Sequence, residues 1–585
     1  MAEGQPAAEH RLSRLLPWGA LAAVLIAAWL PLAVPEPVAG HSAMADRVRA
    51  AAIHAAVAGG DLLPAWLPDL YDRHGTPLPS FYAPLSYGVV EVLRIATGSP
   101  EAAFKLAYLA FWILGTAGAA VAARLRFGAE AAIPAGAAFA LAPYTLVDVY
   151  VRGGIAEFAA LALLPWALAA LASSAIPALA GAAAIVLLLV LTHNITALVA
   201  VPALALLALF GPARTRWHAL TGIALGLGLS AFYWLPALVD KEYLWSDTSL
   251  TAGFFDYRRH FVAPVNLLPG RTSLQFTVGP SSGLPFRFGE LLVLPAIAAF
   301  LLAASRRVRG RMDALPLAAG TVAALVLTSA WSEPVWRMLP LAPFVQFPFR
   351  FFLFATALAA PLVGWLVVQA PGHWRPLLAA LVAAVALWLA QPWLAARYFF
   401  FDRATAVPVP VPATELEPAR HDPRLAPLTE IVTLDRLRSH HWSGSAGNEF
   451  LPRTVTELPV VPTGEVPTAA AEALGGGVRV VASEWGYPEI RAELEVREAG
   501  EVALHQFWFP GWQATVDGIP RATRAEPGRG RILVAVRPGD RELRAHFGTT
   551  PLRRVARGIS LLAFGGLAIY LWLRASPVRA SARSR

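Results

Sequence analysis

The sequence predicts an α-helical polytopic membrane protein of about twelve transmembrane helices, with an external C-terminal β-sandwich domain ahead of the last helix. Three observations carry this. Of 585 residues, 56% are hydrophobic and only 15% charged, and the mean hydropathy is +0.53, a balance that suits a bilayer better than water. Apolar runs long enough to cross a hydrocarbon core of about 30 Å recur along the chain, and helices are the open-chain structures that can cross it. Finally, one long stretch, 395–558, breaks the apolar pattern with short alternating runs.

The formal charge of +9 does not point to nucleic acid, because the arginines lie in short turns between apolar runs, where they report orientation. Arg11 and Arg14 precede the first run, 15–34, which places the N-terminus in the cytoplasm; the run is too long for a signal peptide and lacks a cleavage site. The further spans are 104–123, 131–149, 154–172, 176–192, 195–210, 217–238, 288–304, 314–330, 351–368, 374–394 and 559–573. Each basic turn then faces inside: Arg124/Arg126, Arg214/Arg216, Arg306/Arg307/Arg309/Arg311, His373/Arg375 and the tail Arg574/Arg579/Arg583/Arg585. The segment 82–96 is apolar too, but counting it as a span would put Arg124 and Arg126 outside, so it is expected to lie flat on the outer surface. The domain plan is a transmembrane domain, 1–394, with external loops 36–103, 239–287 and 331–350; an external domain, 395–558; and a last helix with a basic cytoplasmic tail, 559–585.

Within the external domain, a Pro-rich stretch, 407–412, and a polar region precede runs at 478–482, 490–496, 502–509, 514–516, 532–536 and 542–547. These alternate with period two and recur at sandwich spacing from about residue 478, with Asp517-Gly518 and Pro538-Gly539-Asp540 as turns. Absence of cysteine removes disulfides and thiolate chemistry.

Several short motifs fall on the external faces. They are Gly40-His41; Gly60-Asp61-Leu62-Leu63-Pro64-Ala65-Trp66; Gly75-Thr76-Pro77-Leu78 with Phe81-Tyr82-Ala83-Pro84-Leu85-Ser86-Tyr87; Tyr150-Val151-Arg152-Gly153 with Glu157; Thr192-His193-Asn194; Phe232-Tyr233-Trp234-Leu235-Pro236; Gln346-Phe347-Pro348-Phe349-Arg350-Phe351; and Phe509-Pro510-Gly511-Trp512 with Asp517-Gly518. In this order they resemble the bacterial YfhO-like family, whose relatives carry the label "6-pyruvoyl-tetrahydropterin synthase-related membrane protein". The resemblance implies a GT-C-type glycosyltransferase: a multi-span enzyme of the bacterial inner membrane that takes a sugar from a polyprenyl-phosphate carrier, with its site in the first external loop. Its partners would be the lipid bilayer, the polyprenyl-phosphate-linked sugar and a cell-envelope glycan or lipid acceptor. The pterin label is not followed, because the soluble enzyme of that name needs a zinc-binding histidine cluster and no such spacing occurs here. A divalent cation stays open as cofactor, with no ligand spacing that indicates one. Where the family pattern reads Gly-His-Asp, this chain reads Gly40-His41-Ser42, and its next carboxylate is Asp46.

Glycosyl transfer needs a carboxylate to accept the acceptor's hydroxyl proton and cations to stabilise the departing phosphate. Asp46 is the first candidate base and Asp61 the second; the plainer readings are that Asp46 pairs with Arg49 or Arg47 and that Asp61 caps a turn. Arg152 and Glu157 fall at the mouths of adjacent spans, where Arg152 either clamps phosphate or pairs with Glu157 or Asp148. His193 either helps hold the phosphate or caps a helix, and Arg350 resembles the family's lipid-phosphate contact but could equally snorkel at the interface. His41 joins them through the loop motif. Phe399-Phe400-Phe401 reads as core or belt, and Trp485, Trp508 and Trp512 as domain core rather than sugar platforms. Two further classes stand beside the transferase: a translocator of lipid-linked sugars, which the scarcity of mid-membrane charge disfavours, and a non-catalytic envelope-assembly scaffold.

Overall fold

A computed structural model describes residues 18–575 apart from 83, 174, 210–212, 264–287, 304, 306–307, 395, 405–407, 428–442, 446, 459–467 and 487–488. Arg11, Arg14, Arg306, Arg307 and the tail arginines from Arg579 onward therefore lie outside the described residues, as do parts of the 239–287 loop and the 395–558 domain.

Among the described residues, six helices are long and apolar enough to cross a bilayer: Pro100–Phe127, Ile155–Ala172, Arg311–Thr328, Pro348–Gln369, Gly372–Trp393 and Pro551–Arg574. Two bent pairs raise the number to as many as eight, Ala129–Ala140 with Pro143–Arg152, bent by 42°, and Thr215–Leu229 with Ala231–Tyr243, bent by 65°. Four shorter apolar helices, Trp18–Leu32, Ala178–Thr192, Asn194–Leu209 and Glu290–Leu302, accompany them. In chain order, the helices that bear on the site are α1 (Trp18–Leu32), α2 (Ala43–Ala58), α3 (Pro84–Thr97), α4 (Pro100–Phe127), α5 (Ala129–Ala140), α6 (Pro143–Arg152), α7 (Ile155–Ala172), α8 (Ala175–Thr192), α9 (Asn194–Leu209), α10 (Ala213–Leu229), α11 (Ala231–Asp240), α12 (Glu290–Ala303), α13 (Arg311–Thr328), α14 (Glu333–Met338), α15 (Phe351–Gln369), α16 (Arg375–Ala390) and α17 (Pro551–Ala575).

Alanine and glycine let these helices approach closely. α4 packs along α7 and α5, α8 along α10, and α15 against α13 and α5. At Gly364 of α15 an added Cβ would collide with the Ala131 carbonyl oxygen, so that crossing requires a bare backbone. α7 is buried on nearly every face, as expected of a helix apolar all round. α17 is the opposite case, with Leu561, Leu562, Phe564 and Trp572 all more than 60% exposed. α3 differs again: its 14 residues span only about 21 Å. It buries Tyr87 and Val90 while Val92 and Ile95 are exposed.

Between α16 and α17 the chain turns to strands. A three-stranded sheet of order β2-β1-β3 combines Arg397–Asp402, Pro408–Pro412 and Leu425–Pro427. Phe399, Phe400 and Phe401 are therefore strand residues, all buried. The prolines of β2 are tolerated because it is an edge strand, which needs no inward N–H. Two further antiparallel sheets follow, β10-β11-β7-β4 and β5-β6-β12-β8-β9, built from Ala471–Leu474, Val478–Glu484, Glu489–Val496, Gly500–Phe507, Trp512–Val516, Ile519–Arg521, Thr523–Ala525, Arg531–Val536 and Glu542–Phe547 as β4 to β12. Along β6, Ile490, Ala492, Leu494 and Val496 are buried and the residues between them are not. They share one continuous core with Val502, Leu504, Val534 and Val536 of the other sheet. Trp512 is buried and Trp508 partly so, packed on the same core.

The strand region is docked on the first loop. Trp66 meets the rings of Trp512 and Phe547 at 5.5 and 5.1 Å, and its indole N–H donates to the Gln506 side chain. Gln506 in turn donates to the Arg73 carbonyl at 2.6 Å. The Phe507 amide donates to the His74 carbonyl at 2.6 Å, continuing the sheet's backbone bonding into the loop.

Candidate functional site

The site is built on a crossing of two glycines. α6 ends in a π-helical turn, Asp148–Arg152, and Gly153 follows with φ +60, a left-handed conformation that frees the chain to start α7 at Ile155. Gly40 lies directly against this break: a Cβ there would be 2.6 Å from the Gly153 nitrogen. Backbone bonds close the junction, with the His41 amide donating to the Val151 carbonyl at 3.1 Å and the Ser42 amide to the Arg152 carbonyl at 2.8 Å. The start of the first loop is thereby fastened to the mouth of α6 and α7.

At this junction a buried charge cluster forms around Glu157. Arg152 donates to its Oε2 at 2.5 Å, Arg350 to the same oxygen at 3.1 Å, and the Tyr144 hydroxyl to Oε1 at 2.6 Å. Arg152 also reaches Asp148 at 3.3 Å. The two guanidiniums lie over aromatic faces, Arg152 at 4.9 Å from Phe349 and Arg350 at 4.9 Å from Phe347. Arg350 is fixed further by the Val345 carbonyl and the Gln346 side chain, at 2.7 and 2.8 Å. Buried charges at a membrane protein's helix ends are costly unless paired, and here every member has a partner.

A second group belongs to α2. Arg49 donates to Asp46 and Tyr87 at 3.1 Å each and to the Gly444 carbonyl at 2.5 Å, with its guanidinium 4.5 Å above the Tyr82 ring. Asp46 accepts from the Tyr87 hydroxyl at 2.7 Å and from the Ile155 amide at 3.2 Å. Burial raises its carboxyl above the usual range, opposed by Arg49 and the Tyr87 hydroxyl.

Between these groups opens a cavity of about 1070 Å³. One end is cationic and aromatic, lined by Arg49, Arg152, Arg350, Lys241 and Arg259 with Tyr82, Phe347 and Phe349. Lys241 lies 5.0 Å from the centre of the Phe344 ring. The other end is apolar and runs down the helices: Ile195, Leu198, Val201 and Pro202 on α9, Leu227 on α10, and Trp234, Ala237 and Leu238 on α11. From Ile195 to Pro202 the wall follows about 10 Å of helix. A 65° bend at Ser230 separates α10 from α11, and Lys241 caps the C-terminal end of α11. A space with clustered cations at one end and an apolar trough at the other suits an amphiphile with an anionic head.

Of the residues selected from sequence, His41, Arg152 and Arg350 line this cavity. Glu157 lies behind the two arginines, and His193 behind Tyr82, its Nδ1 bonded to the Thr196 hydroxyl at 2.8 Å. Asp46 comes to the same junction, accepting from the Ile155 amide three residues beyond Arg152, and is paired with Arg49. Asp61 stands apart, accepting from the Leu63 amide at 3.3 Å in the turn after α2. Lys241, Arg259 and Glu449 also line the cavity, with no motif to announce them. Among the described residues no group of three or more His, Asp or Glu side chains is placed to hold a metal ion.

Comparison with known proteins gives one family and a few distant structures. Residues 80–399 match the family model described as "6-pyruvoyl-tetrahydropterin synthase related domain; membrane protein". No curated protein matches. Among solved structures, the arabinofuranosyltransferase AftD from Mycobacteria is similar at 19% identity and a TM-score of 0.40, over 65% of this chain and 27% of that one. ArnT from Cupriavidus metallidurans, bound to undecaprenyl phosphate, is similar at 17% identity and a TM-score of 0.39, over 60% of each chain. This chain thus spans about a quarter of the length of the first and three fifths of the second.

Proposed function

The chain belongs to the 6-pyruvoyl-tetrahydropterin synthase related family of membrane proteins, and from that footing we propose that it is a glycosyltransferase that moves a sugar from a polyprenyl-phosphate carrier to a cell-envelope acceptor at the outer face of a bacterial inner membrane. The observation that carries the reading is the single cavity joining a cationic, aromatic mouth to an apolar trough along α9 and α11. A polyprenyl phosphate has the matching halves. Its chain lies in the trough, and its phosphate meets Arg49, Arg152, Arg350 and Lys241, with the carried sugar against His41, Tyr82 and the aromatic wall. Arginine forks suit phosphate oxygens and offset the charge that grows on the leaving group.

Glu157 holds Arg152 and Arg350 in place on this reading, and Asp46 serves by orienting Arg49. His193 supports Tyr82. The remaining architecture is proposed with it: about twelve crossings when the bent and shorter apolar helices are counted, both termini cytoplasmic, α3 flat on the outer surface, and the two large sheets paired as an external β-sandwich. Domain limits at 394 and 558 follow from the same scheme.

The test is transfer by the purified protein in liposomes, with a panel of radiolabelled polyprenyl-phosphate pentoses and hexoses as donors and delipidated envelope as acceptor. At least one donor is expected to label the acceptor, and Arg350→Ala to weaken donor binding and turnover together. Absence of transfer from every donor, with polyprenyl phosphate unbound, contradicts the reading.

A further inference from the structure

Resting on the transferase reading above, we propose that Glu449, supplied by the external domain, is the general base that takes the acceptor's hydroxyl proton. Among the described residues it is the one carboxylate that lines the cavity. The other acidic groups nearby, Asp46, Asp148 and Glu157, stand behind the wall and face arginines. Glu449 is 6% exposed, a degree of burial that an acidic side chain reaches only where something compensates it. One oxygen, Oε2, accepts from the Gly447 amide at 2.9 Å. Arg49 lies close enough for the two charges to act on each other. The second oxygen has no hydrogen-bond partner among the described residues, which leaves it to a ligand in the cavity.

The neighbouring backbone holds the carboxylate in position. Asn448 has φ 55, and its side chain accepts from the Tyr71 hydroxyl at 3.1 Å. The Phe450 carbonyl accepts from the Thr76 hydroxyl at 3.1 Å, and the Leu451 carbonyl from the Trp245 amide at 3.1 Å. Residues 448–451 are thus gripped by the first loop on one side and the 244–255 segment on the other. No comparable grip would be needed for a solvated glutamate.

The step balances without further reagents. The acceptor hydroxyl oxygen bonds to the sugar's anomeric carbon, the bond from that carbon to the phosphate oxygen breaks, and its electron pair leaves with the polyprenyl phosphate. The hydroxyl proton passes to Glu449 and then to water at the cavity mouth. Arg49, beside Glu449 and lining the same space, lies where it can meet both the base and the phosphate.

The experiment uses full-length protein in liposomes and reads two quantities, binding of polyprenyl phosphate and transfer from the donor panel to delipidated envelope. Glu449→Gln is expected to lower transfer by roughly 10²- to 10⁴-fold with polyprenyl-phosphate affinity within twofold of wild type. Glu449→Asp is expected to recover part of the rate. Transfer by Glu449→Gln within tenfold of wild type overturns the role of Glu449 while leaving the transferase reading intact. Loss of lipid-phosphate binding by both variants would make the residue structural and overturns it as well. A wild-type protein that neither binds nor transfers overturns the transferase reading and this one with it.

Discussion

Glu157 receives hydrogen bonds from Arg152, Arg350 and Tyr144, so its charge is what keeps two lining arginines aimed. Glu157→Gln leaves both guanidiniums buried without their common partner, and removing one member of a buried ion pair typically costs about 3–5 kcal/mol. Thermal unfolding in detergent should show this as a clearly lowered midpoint, with weaker binding of polyprenyl phosphate. Asp46→Asn makes a separable prediction. Because Asp46 touches Arg49, Tyr87 and the Ile155 amide but not the cavity, the substitution should raise KM for the lipid donor more than it slows turnover. Turnover slowed by roughly a hundredfold or more at unchanged KM, the loss expected on removing a general base, would instead make Asp46 a reacting group. In the sequence, pairing of Asp46 with Arg49 or Arg47 was legible as one of two readings, since arginines three and one residues on lie close at hand. What spacing could not reveal is which face of α2 meets the cavity, since the Gly40–Gly153 crossing decides that.

At the scale of elements, that crossing and the docking of the strands on the first loop are the two joints of the site. Gly40→Ala inserts a methyl group where 2.6 Å is available against backbone, which no side-chain rotation can relieve. It is expected to separate α2 from Arg152 and abolish lipid-phosphate binding, while Gly88→Ala, on the helical backbone of α3 with open space around it, is the control for bulk. The docking joint carries a pH dependence. His74 and His505 stack at 5.9 Å, with Arg531, Glu472 and Arg73 around them. Burial, then the charges of His505 and Arg531, push His74 down to about 4 from 6.5. The undocked imidazole therefore binds its proton first as pH falls. Docking has its full strength above pH 6.5, weakens progressively between 6.5 and about 4, and changes no further from this group below that. Burial also lowers His505, which acts in the same direction. Amide protection of residues 67–76, referred to the intrinsic exchange rate at each pH, should fall across that window in wild type and much less in His74→Phe; an equal fall in both would contradict the assignment. The strands themselves were readable where burial alternates, as in β6. The 397–427 sheet was not, because its central strand is a run of three phenylalanines with no alternation and its edge strand is proline-rich.

For the whole molecule, apolar run length located the six long apolar helices found among the described residues, because the bilayer imposes one length scale on all of them. It could not distinguish a straight helix from the bent pairs, whose breaks at Leu141–Ala142 and Ser230 are set by local backbone conformation. Nor could it find Glu449, which lies in an aperiodic polar stretch and acquires meaning only when the 443–455 segment is folded back over the first loop. Orientation is directly testable: a reporter fused at Gly530 should be external and one at the C-terminus cytoplasmic, and a cytoplasmic signal at Gly530 would reverse the scheme. On the proposed function, a lipid phosphate occupies the cavity with its chain along α9 and α11. Photocrosslinking with a diazirine-bearing polyprenyl phosphate, followed by peptide mapping, tests it most directly. Labelling is expected within 195–202 and 234–241, competed by unlabelled polyprenyl phosphate and lost in Arg350→Ala; labelling confined to the exposed face of α17, or unaffected by competitor, overturns this placement of the lipid.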